Sequence, residues 1–578
     1  MKRHTAVILL VALFSLFYRI IFFTGPAVSD EFAYLQYAHN IASGQLHLLE
    51  GTWYAFRYMV FSPVAVLFKF FGINDYIVAL WPLFCSIGTV ILIYMLGVLL
   101  FDKSVGLLAA ILLSIFPLDV LYATHLMPDT ILPFFMALTV YLFLKAETPS
   151  SGKKALFFYL FSGVALGLGY LSREVAPVLF ILFFSPYVLY TRKLAPKILF
   201  FGLGFVGVVL MEICFYYFAT GNMFLRWQVL NEFYGAQSLS PEHFYYLKSV
   251  FAPLGYSGLF YYFVVFGAFY LFFRKKLKDI AIVLIWFMGS LLYWQFGTMS
   301  LLRYAPIFKE ARFLTQLSVP ALLIAAYSLV QWQRSFRNGI YVKYAERILI
   351  FMVFAAIIAL PVLSLFKENV FMIIEFMYKI TKHYHSFEEN KTNIVAVYRV
   401  LSGVLPLLIA AAGITSFAIL RISNLKTSTK LVSLVILMIL LPSSFVSATI
   451  YSKQYKYSMG KYKKVYNFIT QVDACPFYFI NGRWPVIVSY YFRYKKGAHF
   501  LKRNFLKYPS ENQTQEFKYL QNMKNISELN NAYVVIDKEF LRDFLGGKPP
   551  PALSYDIPKT WELKFSMQDV AVYHVNNY

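Results

Sequence analysis

The chain has 578 residues, of which 59% are hydrophobic, 20% aromatic and only 14% charged, with a mean hydropathy of +0.59. That composition excludes an ordinary soluble domain and describes a polytopic membrane protein. The formal net charge of +24 does not signal nucleic acid, because the Lys and Arg residues are scattered through short loops instead of forming one patch.

The first apolar stretch, near 5–24, follows Met1-Lys2-Arg3-His4. It is long and is followed by further spans, so it reads as a retained anchor with a cytoplasmic N-terminus, not as a signal peptide. Asp30 and Glu31 come about six residues after it, in SDEFAYLQYAHNIASG. Two adjacent acids where a chain leaves the membrane suit proton abstraction, metal ligation or both. They equally suit a helix start, since Ser29 and Asp30 are good N-cap residues.

Twelve further spans of membrane-crossing length fall near 76–101, 105–121, 130–146, 156–171, 175–191, 197–219, 257–273, 280–297, 313–331, 347–366, 395–420 and 430–450. Basic residues gather in alternate loops: Lys153/Lys154, Arg192/Lys193/Lys197, Arg274/Lys275/Lys276/Lys278, Arg334/Arg337/Lys343 and Arg421/Lys426/Lys430. Placing these in the cytoplasm agrees with the basic N-terminus. The opposite side then receives the first loop (25–75), 119–129, 220–256, 298–312, 367–394 and everything after 451. No Walker A motif is present, which argues against ATP-driven transport. Cys85, Cys214 and Cys475 make no disulfide framework and read as packing residues.

After 451 the pattern changes. Short apolar runs at Phe477–Ile480, Val486–Tyr491, Tyr533–Ile536 and Val570–Val575 predict strands, with helices around 461–470 and 538–544. The expected organisation is a transmembrane domain over 1–450 and a small extracytoplasmic α/β domain over 451–578.

Several motifs recur in order along the chain. They are Asp30-Glu31 with Tyr34, Ala38 and Ser43-Gly44; then Gly51, Tyr54, Arg57, Pro63 and Phe71-Gly72; then Pro128-Asp129, GLGYLSRE (Gly167 to Glu174) and KEARFLTQLSVPALL (Lys309 to Leu323). In order, sidedness and spacing they resemble the GT-C superfamily of lipid-linked-sugar glycosyltransferases. The likeness is to the branch of protein O-mannosyltransferases and lipid A aminoarabinose transferases, and it extends over nearly the whole chain. It implies a polytopic helical fold of about thirteen spans with a C-terminal outer domain. It also implies a sugar donor on undecaprenyl or dolichyl phosphate and a lipid, glycan or protein acceptor on the extracytoplasmic side, with no nucleic-acid partner.

For the site, the resemblance implies that Asp30, with Glu31 beside it, is the general base or acceptor-orienting group. Asp129, at the mouth of the fourth span, becomes either a helix cap or a second acid in the same cavity. Arg57, Arg173 and Arg312 become candidates for the donor phosphate, since a guanidinium holds phosphate oxygens in bidentate fashion. The competing readings are a snorkelling Arg57 and an Arg173 paired with its neighbour Glu174. Some relatives use a glutamate late in the first loop as a metal ligand. Here that stretch reads Phe56-Arg57-Tyr58 and the acid is missing, which leaves Glu50 or His47, with His243 beside Glu242, as donors for a divalent metal.

Two other classes compete. A glycan ligase or oligosaccharyl transferase would carry a WWD-like motif in the C-terminal domain, but Trp484 and Trp561 stand alone. A lipid-sugar flippase or transporter would show pseudo-symmetric halves and broken helices with mid-membrane polar groups, and no internal repeat is visible.

Overall fold

The computed structural model describes residues 2–27, 29–44, 53–148, 152–191, 196–235, 245–250, 256–298, 304–307, 309–337, 427–472, 477–479, 487, 490–491, 532–537, 561–567 and 570–575. The expected spans at 347–366 and 395–420, and the helix at 538–544, lie outside these residues. The described chain is mostly helical and forms two units.

The larger unit comprises residues 1–25, 56–60 and 79–454. Its helices are α1 (Lys2–Ile21), α4 (Asp75–Leu100), α5 (Lys103–Ser114), α6 (Pro117–Tyr122), α7 (Pro128–Glu147), α8 (Gly152–Ser172), α9 (Ala176–Thr191), α10 (Leu199–Thr220), α11 (Leu225–Gly235), α12 (Tyr245–Val250), α13 (Phe260–Phe273), α14 (Ala281–Phe296) and α15 (Ser318–Arg337). Six described helices are long and apolar enough to cross a membrane, and five shorter apolar helices accompany them. This is an integral membrane protein, and most of the predicted spans fall on an observed helix.

Burial orders the bundle. Residues 313–330, including most of α15, are all buried. Helix α10 is the outlying member: Leu203, Leu210, Met211 and Phe218 are exposed along it, as lipid-facing side chains are. Helices α8 and α10 touch backbone to backbone. A Cβ at Gly163 would meet the Phe201 carbonyl at 2.0 Å, and one at Gly204 would meet the Leu160 carbonyl at 2.2 Å. Small residues permit that approach where lipid supplies no hydrophobic drive to pack helices together.

One buried charge pins the N-terminal helix. Arg19 on α1 is fully buried and pairs with Asp119 of α6. Its Nε donates to Ser86 Oγ at 2.7 Å and its Nη1 to the Ser114 carbonyl at 3.1 Å, and Ser86 Oγ donates to Asp119 at 2.9 Å. A charge held inside a membrane protein is costly unless it is paired and hydrogen-bonded, and this one is.

The second unit comprises residues 26–55, 61–78 and 455–578. Residues 25–75, expected as an open loop, carry two helices, α2 (Ser29–Ala42) and α3 (Tyr58–Phe71), with a 3-10 turn at Trp53–Phe56. Asp30 and Glu31 lie in the first turn of α2, where negative charge is favoured. Glu31, Tyr34, Leu35 and Ala38, at one-face helical spacing, are all fully buried.

Helix α16 runs without a break over Thr427–Ile469, so the expected 430–450 span and the expected 461–470 helix are one element. Its end covers a four-stranded sheet, with Phe468 against Tyr533 and Phe565. The strands are β1 (Phe477–Phe479), β2 (Ala532–Asp537), β3 (Trp561–Met567) and β4 (Val570–Val575), in the order β1-β2-β4-β3. Strand β1 pairs parallel with β2; the other pairings are antiparallel. The predicted strand at Val486–Tyr491 is corrected: its described residues, Ile487, Tyr490 and Tyr491, are helical. The run is apolar except for Ser489, so periodicity could not separate strand from helix; Ile487 and Tyr490, three apart, are both buried.

Candidate active site

The larger unit holds four arginines and three carboxylates in one group. It is built around the short hairpin between α8 and α9. There Arg173 donates its amide to the Gly169 carbonyl at 2.9 Å, and Ala176 donates to the Arg173 carbonyl at 3.2 Å. Successive residues of this turn point their charges to different partners. Arg173 pairs with Asp129, not with its neighbour Glu174. Its guanidinium lies 3.8 Å from the centre of the Phe313 ring and 5.0 Å from that of Trp294.

Asp129 is buried in the first turn of α7 and is not its cap, which falls at Met127. Arg312 Nε lies 3.5 Å from its second carboxylate oxygen, and its main-chain carbonyl accepts from Thr315 Oγ1 at 2.7 Å. Asp129 therefore anchors two of the arginines singled out in the sequence.

Glu174 faces the other two. Arg57, just before α3, donates Nη2 to both oxygens of Glu174 at 3.1 and 3.4 Å. Arg226 of α11 lies 4.0 Å from Glu174. It also donates to Glu212 of α10 at 2.7 Å and to the Tyr170 carbonyl at 3.0 Å, and it stands over the Tyr170 ring at 4.0 Å. Burial alone would raise the Glu174 pKa, but Arg57, Arg226 and Arg173 together hold it well below the usual carboxylate range.

Sequence reasoning missed Arg226 and Glu212. A lone acid inside the apolar run FVGVVLMEICFYY is a signal that could have found Glu212. Nothing local marks Arg226; the fold brings it to Glu212.

Among the described residues, four guanidinium groups gather around these three carboxylates. Lys309 is close by, donating to the carbonyls of Trp294 and Gln295 at 3.0 and 2.7 Å and lying over Tyr246 at 5.0 Å. Trp294 Nε1 and Arg226 Nε are buried donors without a hydrogen-bond partner. Buried polar atoms are normally satisfied, so a guanidinium-rich group with unmade N–H hydrogen bonds suits an anion.

The first-loop acids belong to the second unit. Asp30 is half-buried and accepts from the Tyr54 hydroxyl at 2.8 Å, and the Tyr54 ring meets Tyr34 edge-on. Glu31 is fully buried and accepts from the Ala27 amide at 2.8 Å. The two neighbours differ in kind: Glu31 ties down the turn into α2, while Asp30 keeps an accessible carboxylate. Glu50, His47 and His243 lie outside the described residues. Among those described, no three His, Cys, Asp or Glu side chains are grouped to hold a metal.

Residues 59–217 match the family described as dolichyl-phosphate-mannose-protein mannosyltransferase. No curated protein matches the chain. Its fold is similar to that of ArnT from Cupriavidus metallidurans in the apo state, with TM-score 0.60 and 14% identity over 99% of this chain and 98% of that one. The same protein bound to undecaprenyl phosphate gives TM-score 0.60 and 13% identity over 98% of both chains. The chain therefore has the fold of ArnT, and part of its first half matches the mannosyltransferase family. The matched stretch includes Asp129, Arg173, Glu174 and Glu212, and excludes Asp30, Arg57, Arg226 and Arg312.

Proposed function

We propose that this protein is a GT-C glycosyltransferase that transfers one sugar from a polyprenyl phosphate to an acceptor on the extracytoplasmic face, with inversion. The observation that carries this reading is the group of four arginines with unmade N–H hydrogen bonds, held by buried carboxylates in a membrane bundle. The donor is a phosphodiester, and bond cleavage leaves its charge on the lipid phosphate. That leaving group needs cations, not an acid. Arg57, Arg173, Arg226 and Arg312 supply them, and Asp129 and Glu212 hold the guanidiniums in place. Binding of undecaprenyl phosphate by the similarly folded ArnT supports a lipid of that class.

The acceptor hydroxyl must lose its proton as the new glycosidic bond forms. Asp30 takes that proton, oriented by Tyr54. The oxygen of the acceptor attacks the anomeric carbon, the carbon–phosphate oxygen bond breaks, and the lipid phosphate departs. A single displacement inverts the configuration. Glu50 and His243 remain the candidate donors for a divalent metal. The N-terminus is cytoplasmic in this reading, and Asp30 and the C-terminal sheet are extracytoplasmic.

The test is incubation of the purified protein with radiolabelled polyprenyl-phosphate sugars and membrane extract, followed by identification of the labelled product. Transfer of one sugar with release of polyprenyl phosphate is expected. Transfer of a preassembled oligosaccharide, or none from any polyprenyl-phosphate sugar, would overturn it.

A further inference from the structure

Among the three carboxylates of the arginine group, Glu174 has the different setting. Asp129 and Glu212 are enclosed, with side chains only 1% and 4% exposed. Glu174 is 24% exposed. It sits in a turn, its oxygens shared by Arg57 at 3.1 and 3.4 Å and approached by Arg226 at 4.0 Å. Two oxygens across two guanidiniums is also how one face of a phosphate would sit. Asp129 and Glu212 cannot leave their arginines without stranding a buried charge, whereas Glu174 has a route to solvent.

We propose that Glu174 is a built-in stand-in for the lipid phosphate: it occupies Arg57 and Arg226 in the ligand-free protein, yields them to the donor, and returns to expel the product. This rests on the reading of the arginine group as the donor site. The charges give it a purpose. The donor phosphodiester carries one negative charge. The released polyprenyl phosphate is a monoester, with about −1.5 to −2 at neutral pH. Arginines without a competitor would hold the product more tightly than the donor, and release would stall the cycle. A carboxylate attached to the site weakens both, and it re-forms its own ion pairs as the product leaves. Its strongly ionised state fits the role, because the stand-in keeps its charge at any working pH.

The sign of one substitution decides between this and a purely positioning role. Binding of undecaprenyl phosphate in detergent is measured for the wild type, Glu174→Gln and Arg173→Ala. Glu174→Gln should bind about tenfold more tightly, the worth of one charge-assisted contact, and in turnover its KM for donor and its kcat should both fall. If Glu174 merely positions Arg57, Glu174→Gln binds more weakly and KM rises; that result, or an unchanged affinity, overturns the proposal. If Glu174→Gln does not fold, Glu174→Asp, drawn back by one methylene, should still tighten binding, and weaker or equal binding overturns it. A wild type that binds no undecaprenyl phosphate, with Arg173→Ala identical to it, refutes the donor site itself, which is a separate failure.

Discussion

Asp30 and Glu31 are adjacent in sequence, yet one carboxylate is half-buried against Tyr54 and the other enclosed against Ala27. The adjacency was legible; the division of labour was not, because it depends on which face of α2 packs inward. Asp30→Asn should lower kcat by about 10²–10⁴-fold, the usual worth of a general base, while the purified variant keeps its melting temperature. Near-wild-type turnover would remove Asp30 from the chemistry. Arg173 and Asp129 form a buried pair, so Arg173→Ala removes one of the two arginines that Asp129 anchors and should cost roughly 3 kcal/mol. Adding Asp129→Ala should recover part of that loss in thermal unfolding; two additive losses would mean that the pair is not coupled. Glu174 gives a pH expectation. Its pKa is depressed in the folded protein, so its contribution is complete above the usual carboxylate pKa and is lost only as pH falls through the lower folded value. Between pH 5 and 8, donor affinity of Glu174→Gln should follow the same pH profile as the wild type, and a profile that flattens would contradict this.

At the level of elements, apolar length and Pro or polar punctuation marked most helices within a few residues. The reading failed where context decides. Residues 25–75 looked like a loop because their helices are short, 14 residues each. Strand β3 was passed over although Trp561, Leu563, Phe565 and Met567 alternate with Glu562, Lys564 and Ser566. The α8–α10 contact was invisible as a contact, although both runs are glycine-rich. It makes a sharp expectation. Gly204→Val places a methyl group against the Leu160 backbone and should abolish recovery of folded protein, a loss above about 4–5 kcal/mol. Gly202→Ala, two residues away with open space at its Cβ, should be recovered in near-normal yield by size-exclusion chromatography. Equal yields would mean that α8 and α10 do not approach through glycine.

For the whole molecule, the alternating basic loops and the odd number of expected spans set the sidedness that the proposed chemistry needs. Lys464 and Lys278 are both exposed and lie on opposite sides in that topology. In a background with Cys85, Cys214 and Cys475 replaced by Ala, Lys464→Cys should react with a membrane-impermeant thiol reagent on intact cells, and Lys278→Cys only after permeabilisation. The reverse pattern would put the acids on the cytoplasmic side and end the extracytoplasmic reading. The general class was legible because a bilayer imposes one strong rule on sequence; the arginine group was only partly so, because its members come from six separate stretches of chain.

The buried pair of Arg19 and Asp119 has a bearing on biogenesis. The two residues are 100 positions apart, and Ser86 and the Ser114 carbonyl complete the same cage. When the ribosome has made only the first span, none of those three partners yet exists. A guanidinium facing lipid alone is disfavoured, so α1 is expected to reach its final seat only once the α4–α6 segment is synthesised. Helix α1 is made before these partners and settles after them, and order of synthesis and order of assembly part company at a single side chain.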